Sequence, residues 1–514
     1  MKTSQTASNQ APPQPSRRTV LRAVATAVAG IATPASVRGG QDPVSAPEPT
    51  APLPPVGIPF QGLLENEGHA YHSWGRTHET RPAVYVEPIS TADVQAVVGD
   101  PIRFPSPVSP VGSMLSVTRT IVNDGGTLVS TLKLNEILGL ETDAAGRKVV
   151  RVQAGCRLKK LHLWLQARDL EIRFQAEIGE ATVGSVAAGD SKDSSLDGAG
   201  YFSAGVVGLT YVDERGFLVS LSDLTDEKAF AEFKCSYGLS GIIVECLIEV
   251  RPARLCRSRF SVVQEDSPEA LSAAIRRMHD ECDALFAVLR LESLQGMCEQ
   301  RFSAGPGSLT PATSQPIFDK LRLWRRLNIQ HGDAPTPGVK PPLPDEIVYS
   351  RADLVNEYWR PKGDEPRLDF QYYEHDLSNL GRVIEESYAF TREFQQAHGF
   401  TPHAWVIYFA RRLPATRKPY GLYSGGPGIS ISFDPIFSNP IDPAWQQFAK
   451  AYNQVAIHSL GGTPSPIQTQ WLTPADLRIP RQLARERFTT KYYAEFLADC
   501  ETSLPPQDAA TADH

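Results

Sequence analysis

The sequence predicts an α+β chain of two or three domains rather than a doubly wound parallel sheet. Three observations carry that expectation. Strand-like and helix-like segments follow one another without strict alternation, and one pair is joined by a hairpin turn at Asp213, Glu214, Arg215 and Gly216. Late in the chain, residues 405–409 and 428–433 alternate apolar and polar types, as sheet strands facing a pocket do. The 514 residues also exceed what one hydrophobic core normally serves.

Taken in order, residues 1–58 read as a leader plus a Pro-rich linker that cannot bury enough apolar surface to fold. Within it, Arg17 and Arg18 precede an Ala/Val-rich stretch over 23–32. Paired arginines ahead of a short apolar segment resemble a twin-arginine export signal, so a periplasmic or extracellular location is expected. A strand is expected over 83–88, followed by a helix with Ser90 as N-cap and Asp93 in the capping-box position. Gly125 and Gly126 mark a turn before the apolar run 127–131.

Next come a strand over 149–154, closed by Gly155, and an amphipathic helix near 158–167. Leu158, Leu161, His162 and Leu165 share one face of that helix, and His162 is expected to pack there. Residues 206–220 form the hairpin, a helix follows over 226–237, and a buried strand over 241–250. A region expected to be rich in helices and aromatics runs from 268 to about 397, interrupted by a Pro-rich break at 334–344. No internal repeat is visible.

Composition narrows the function. An apolar share of 41% suits a globular protein, and no run of 18 apolar residues marks a membrane span, so no stable membrane insertion is expected. A net charge of −7 argues against a nucleic-acid partner, which needs a basic face. Seven cysteines without a C-x-x-C pair argue against a metal site and a disulfide framework. Buried free thiols are the expectation.

Two loops carry the chemistry. The first spans 110–116 and the second 177–190, and both are rich in small residues. Small residues let the backbone come close to a diphosphate and aim successive N–H groups at it. Gly112, Ser113, Met114, Leu115 and Ser116 are the first-loop candidates, and Gly184, Ser185, Gly189 and Ser191 the second-loop ones. Neither loop is specific alone. Their order is, with residues 149–155 between them and 239–245 after them.

That ordered set resembles the vanillyl-alcohol-oxidase superfamily of PCMH-type FAD enzymes, closest to its sugar-lactone branch. The resemblance covers about 80–253, with a weaker echo at Gly461, Gly462 and 487–493. It implies a two-subdomain FAD-binding domain over 59–253, an inserted mixed α+β substrate domain over 254–475, and a segment 476–514 returning to the FAD domain. The cofactor implied is FAD. Ile242 and Val244 fall where the family presents backbone to it. Many relatives attach the flavin to a first-loop His; Leu115 stands there instead, as in plant lactone dehydrogenases of the family, so non-covalent FAD is expected. Asp190 departs from the family's second loop, and Lys192 is the charge that could offset it. Ala176 falls at the flavin edge, where a methyl group could block O₂.

The activity implied is removal of hydride from a CH–OH group of a sugar, lactone or other alcohol. The partners are a small-molecule substrate and an electron acceptor: O₂, a quinone or a cytochrome. Lactone oxidases carry Glu-x-Arg on a substrate-domain strand, and the strand over 403–412 lacks it. His403, Tyr408 and Arg411 from that strand, with His458, are the catalytic candidates, since His can accept a proton near neutral pH. Two other readings stay open: a tailoring or sterol-type flavin oxidase, and a catalytically degenerate flavin-binding protein.

Overall fold

A computed structural model describes residues 57–66, 68–189, 191–192, 201–234, 236–307, 346–355, 369–412 and 428–499. The paired arginines, Asp190, Cys235, Cys500, the Pro-rich break at 334–344 and the side chain of Arg411 lie outside the described residues.

Strand Val84–Glu87 forms where expected, and Ser90 caps helix Thr91–Gly99. The Ser90 hydroxyl accepts from the Asp93 N–H at 3.1 Å, and the Asp93 carboxylate accepts from the Ser90 N–H at 3.0 Å. Both orphan donors at that helix start are thereby satisfied. The helix packs on a four-stranded sheet in the order Leu63–Asn66, Val84–Glu87, Thr127–Ser130, Val108–Val111. Val108–Val111 runs parallel to Thr127–Ser130, so the first loop leaves the sheet at its carboxyl end.

The second sheet is antiparallel. It joins Ile137–Thr142, Lys148–Gln153, Leu170–Ile172, Val206–Val212, Leu218–Ser222 and Ile242–Pro252. The hairpin and the helix Leu158–Gln166 form as expected, and Leu158, Leu161, His162 and Leu165 are buried on one helix face. The helix expected over 226–237 is shorter, Glu227–Phe233. Lys234 leaves helical geometry and its ammonium donates to the carbonyls of Ser203 and Val206, at 3.0 and 2.9 Å. Val212, Ile242 and Val244 share one core with Val86, Val97 and Val129, which binds the two sheets into one α+β body.

The third sheet has nine strands among the described residues, every pairing antiparallel. It corrects the expectation of a helix-rich region over 268–397. Helices Pro268–Asp280 and Leu380–His398 are there, but strands Ala284–Arg290, Gln295–Pro306 and Glu346–Ser350 lie between them. Ala284–Arg290 is buried at every position, so its apolar run shows no period that distinguishes strand from helix.

Alternation along strand Ala404–Arg412 sorts its two faces. Trp405, Ile407 and Phe409 join the core beneath helices Pro268–Asp280, Leu380–His398 and Pro443–Asn453. Ala404, Val406 and Tyr408 turn the other way, with Phe286, Val288 and Ile436. That second face meets loops of the half built on the first two sheets. The C-terminal segment returns there too: the Arg487 guanidinium donates to the carbonyls of Val97 at 2.9 Å and Val98 at 3.1 Å, and to Ser106 Oγ at 2.7 Å. No helix among the described residues is long and apolar enough to cross a membrane.

Candidate active site

Two adjoining cavities, of about 200 and 160 Å³, form one cleft. Leu115, Ile178, Ala181, Val186, Ser191 and Gln468 line both, so the spaces are continuous. The larger lies between the two loops named from the sequence. The smaller opens onto the nine-stranded sheet.

In the first loop, Met114 is held at φ 54°, a left-handed conformation uncommon for a residue with a side chain. Among the described residues, no backbone–backbone bond uses the amides of Ser113, Met114 or Leu115. A left-handed residue flanked by unengaged amides makes a concavity that suits an anion. The loop's hydroxyls serve the protein itself: Ser113 Oγ donates to the Glu180 carbonyl at 2.5 Å, and Ser116 Oγ to the Ile467 carbonyl at 2.7 Å. Gly112 fills a steric need, because a Cβ there would overlap Thr182 Oγ1. The loops are therefore locked together at the point where they face the cavity.

The second loop is more committed to the fold. The Gly184 N–H donates to the Ala154 carbonyl at 2.7 Å, and the Gly189 N–H to the Ser185 carbonyl at 2.9 Å. Ser185 Oγ donates to the Thr182 carbonyl at 2.8 Å. Gly184, Ser185, Gly189 and Ser191 all line the larger cavity, where they give it its close walls. Ile242 and Val244 do not line it. Their side chains point into the shared valine core, and the Val244 carbonyl accepts from the Ala154 N–H at 2.9 Å. Strand alternation puts Gly241 and Ile243 on the cavity side instead.

The smaller cavity is walled by Trp74, Leu115, Ala176, Ile178, Phe370, Tyr372, Val406 and Ile436, with Glu177, Lys192, Tyr408 and Asp434 as its polar groups beside Ser191 and Gln468. Ala176 and Leu115 thus stand where the two spaces meet. Val406 and Tyr408 occupy the face on which a Glu-x-Arg pair was sought. Cross-strand register sets Asp434 opposite Val406 and Ser432 opposite Tyr408. Burial pushes the Asp434 carboxyl up to about 7, and pushes Tyr408 well above the ordinary phenol range. Glu177 is differently placed: its carboxylate lies 2.6 Å from Nη1 of the buried Arg301, whose Nε is 3.2 Å from Glu299.

Of the catalytic candidates, only Tyr408 lines the cleft among the described side chains. The His403 ring packs on Phe437, 4.2 Å between centroids, because its strand has not yet reached the cavity at that position. His458 lies in Gln454–Ser459, which continues helix Pro443–Asn453, and lines neither cavity; its Nε2 is 2.7 Å from Asp476 Oδ1. Both are corrected as residues outside the cleft. Asp434 was missed. Its signal was present as a lone acid within the apolar alternation of 428–437, but its facing is decided by register with Ala404–Arg412.

The residues fit FAD. The amide concavity suits its diphosphate, the larger cavity its extended body, and the junction at Leu115 and Ala176 its ring. Known proteins point the same way. A family model described as FAD binding domain matches residues 82–222. The chain is 32% identical over 209 residues to D-arabinono-1,4-lactone oxidase of Eremothecium gossypii, covering 40% of this chain and 38% of that protein. It is 24% identical to bovine L-gulonolactone oxidase, over 41% of this chain and 45% of that one. It is 25% identical to mitochondrial L-galactono-1,4-lactone dehydrogenase of Brassica oleracea, over 36% and 30%. The chain thus spans well under half the length of these curated relatives. A solved cholesterol oxidase from Brevibacterium sterolicum shares the fold, with a TM-score of 0.60 at 16% identity, over 82% of this chain and 89% of that one.

Proposed function

We propose that this chain, which an FAD binding domain model matches over residues 82–222, is a PCMH-type FAD-dependent oxidoreductase that removes hydride from a CH–OH group. The observation that carries the reading is the continuous cleft: an amide concavity at one end, an apolar chamber at the other, and Leu115 and Ala176 at their junction. Bound FAD supplies a two-electron acceptor for the hydride. Ser113, Met114 and Leu115 would hold its diphosphate through backbone N–H groups. Leu115 cannot form a bond to carbon of the ring, and Cys156 and His162 are buried in the core, which supports non-covalent binding. The apolar chamber excludes water around the reacting C–H. Electrons would then pass to O₂ or to a quinone or cytochrome, with the Ala176 methyl disfavouring O₂.

The arginine pair Arg17-Arg18 supports export of the folded, loaded protein to the periplasm or beyond. Replacing both by Lys should leave the protein in the cytoplasmic fraction if they are read as a signal. A second reading, an oxidase of sterol-like alcohols, is favoured by the apolar wall of Trp74, Ile178, Phe370 and Ile436. The test is anaerobic addition of alcohols to the yellow holoprotein. Bleaching of the flavin is expected. Yellow protein that no alcohol bleaches would mark a flavin-binding protein without turnover.

A further inference from the structure

We propose that Asp434 is the proton acceptor of this cleft, and that it serves a neutral alcohol whose body is apolar. The proposal rests on the oxidoreductase reading. Register fixes the placement: Asp434 pairs with Val406 across strands Ala404–Arg412 and Gly428–Phe437, so both side chains share the cavity face. Asp434 lines the chamber yet is only 6% exposed. It is held by the Tyr373 N–H, 3.3 Å from Oδ1, and by the Ser432 hydroxyl.

The competing carboxylate is already engaged. Glu177 faces the same chamber, but its carboxylate is taken up by the buried Arg301 guanidinium at 2.6 Å. The groups facing Asp434 are Lys192, which favours its ionised form, and Glu374, which opposes it; Tyr373, Tyr408 and Tyr452 complete the surroundings. The Lys192 ammonium is tethered within the chamber, 3.5 Å from the Tyr408 carbonyl and 5.5 Å above the Tyr372 ring. Burial outweighs it and pushes the carboxyl up to about 7, on the wall of the chamber.

The step balances. Asp434 takes the hydroxyl proton, the C–O bond becomes a carbonyl, and the carbinol hydrogen leaves with its two electrons to FAD as oxidant. Among the described residues, Lys192 is the cation of the chamber and lies against the Tyr408 carbonyl, while Trp74, Ile178, Phe370, Val406 and Ile436 give the chamber an apolar wall. A polyol would lose its water there without replacement. One hydroxyl on an apolar body loses least.

The test is anaerobic stopped-flow reduction of the holoprotein by benzyl alcohol, 1-octanol, L-galactono-1,4-lactone and sorbitol. Wild type is expected to be bleached by the first two far faster than by the last two, with a rate rising tenfold per pH unit and levelling above about 7. Asp434→Asn should keep its yellow colour, lose about 10²–10⁴-fold in reduction rate and lose the pH dependence. A second readout needs no turnover. The folded protein binds this proton more tightly than the unfolded chain, so stability should fall as pH rises from the ordinary carboxylate range to about 7. That slope in melting temperature should flatten in Asp434→Asn. A variant reduced at the wild-type rate with the same pH profile overturns Asp434 as acceptor. Preference for the lactone or sorbitol overturns the apolar substrate. Wild type bleached by none of the four overturns the oxidoreductase reading, and this assignment with it.

Discussion

Residues 110–116 and strand Gly428–Phe437 face the same cleft, yet they present different parts of the chain to it. The loop offers backbone: its amides at 113–115 line the cavity wall and enter no backbone–backbone bond among the described residues, while Ser113 Oγ and Gly112 hold the second loop. The strand offers side chains, because its backbone is consumed by pairing with strands on both sides. A backbone site tolerates side-chain drift so long as the residues stay small. A side-chain site changes its chemistry with one substitution. That difference matches the reach of the relatives, whose likeness covers about two fifths of the chain, and the FAD-domain match ends at residue 222, before the nine-stranded sheet begins.

The contrast is sharpest at Arg301, a buried cation between Glu177 at the chamber and the fully buried Glu299. Arg301→Met should destabilise the protein by about 3–5 kcal/mol in urea unfolding, since it leaves the fully buried Glu299 without its cation and removes that of the part-buried Glu177. It should also slow reduction, because Glu177 is released into the chamber. A loss below about 1 kcal/mol would mean that solvent reaches these carboxylates.

On the backbone side the expected effect is somewhat smaller in stability but decisive for colour. Gly112→Val drives a branched side chain into Thr182, so the loops must separate, at about 1–3 kcal/mol. FAD affinity should fall by on the order of 10²-fold, read by flavin fluorescence titration. Unchanged affinity would show that loop 110–116 is a turn and not a diphosphate site.

The junction between the regions carries the smallest effect. Ala176 lines the chamber beside Leu115. Ala176→Gly should speed reoxidation of reduced flavin by O₂ about tenfold, about 1.4 kcal/mol in barrier, with substrate reduction little changed. Stopped-flow mixing with oxygenated buffer measures it. Fast reoxidation in wild type would move the gate elsewhere.

The same contrast explains what could be read in advance. The small residues of 110–116 and 177–189, and the alternation in 405–409 and 428–433, pointed to the loops and strands that build the cleft. Gly112 and Gly184 were legible as required glycines, but the reason lies in Thr182 and Ala154, which no local pattern reveals. The resemblance marks Ile242 and Val244 as backbone positions, but that Gly241 and Ile243 line the cavity was not legible, because an all-apolar strand does not display which face is buried in which core. His403 follows from the strand that matches the family's substrate strand and His458 from its place ahead of Gly461 and Gly462, but neither placement in the chain shows whether the ring reaches the cleft. Asp434 needed register, and register is set by pairing between segments far apart in sequence.

Acid precipitation of the FAD-loaded protein tests most directly that this cleft holds FAD by backbone contacts, with Leu115 in place of an attaching residue. Yellow FAD should be left in the supernatant above a colourless pellet. Colour that stays with the pellet would contradict it, since a covalent bond would then hold the flavin.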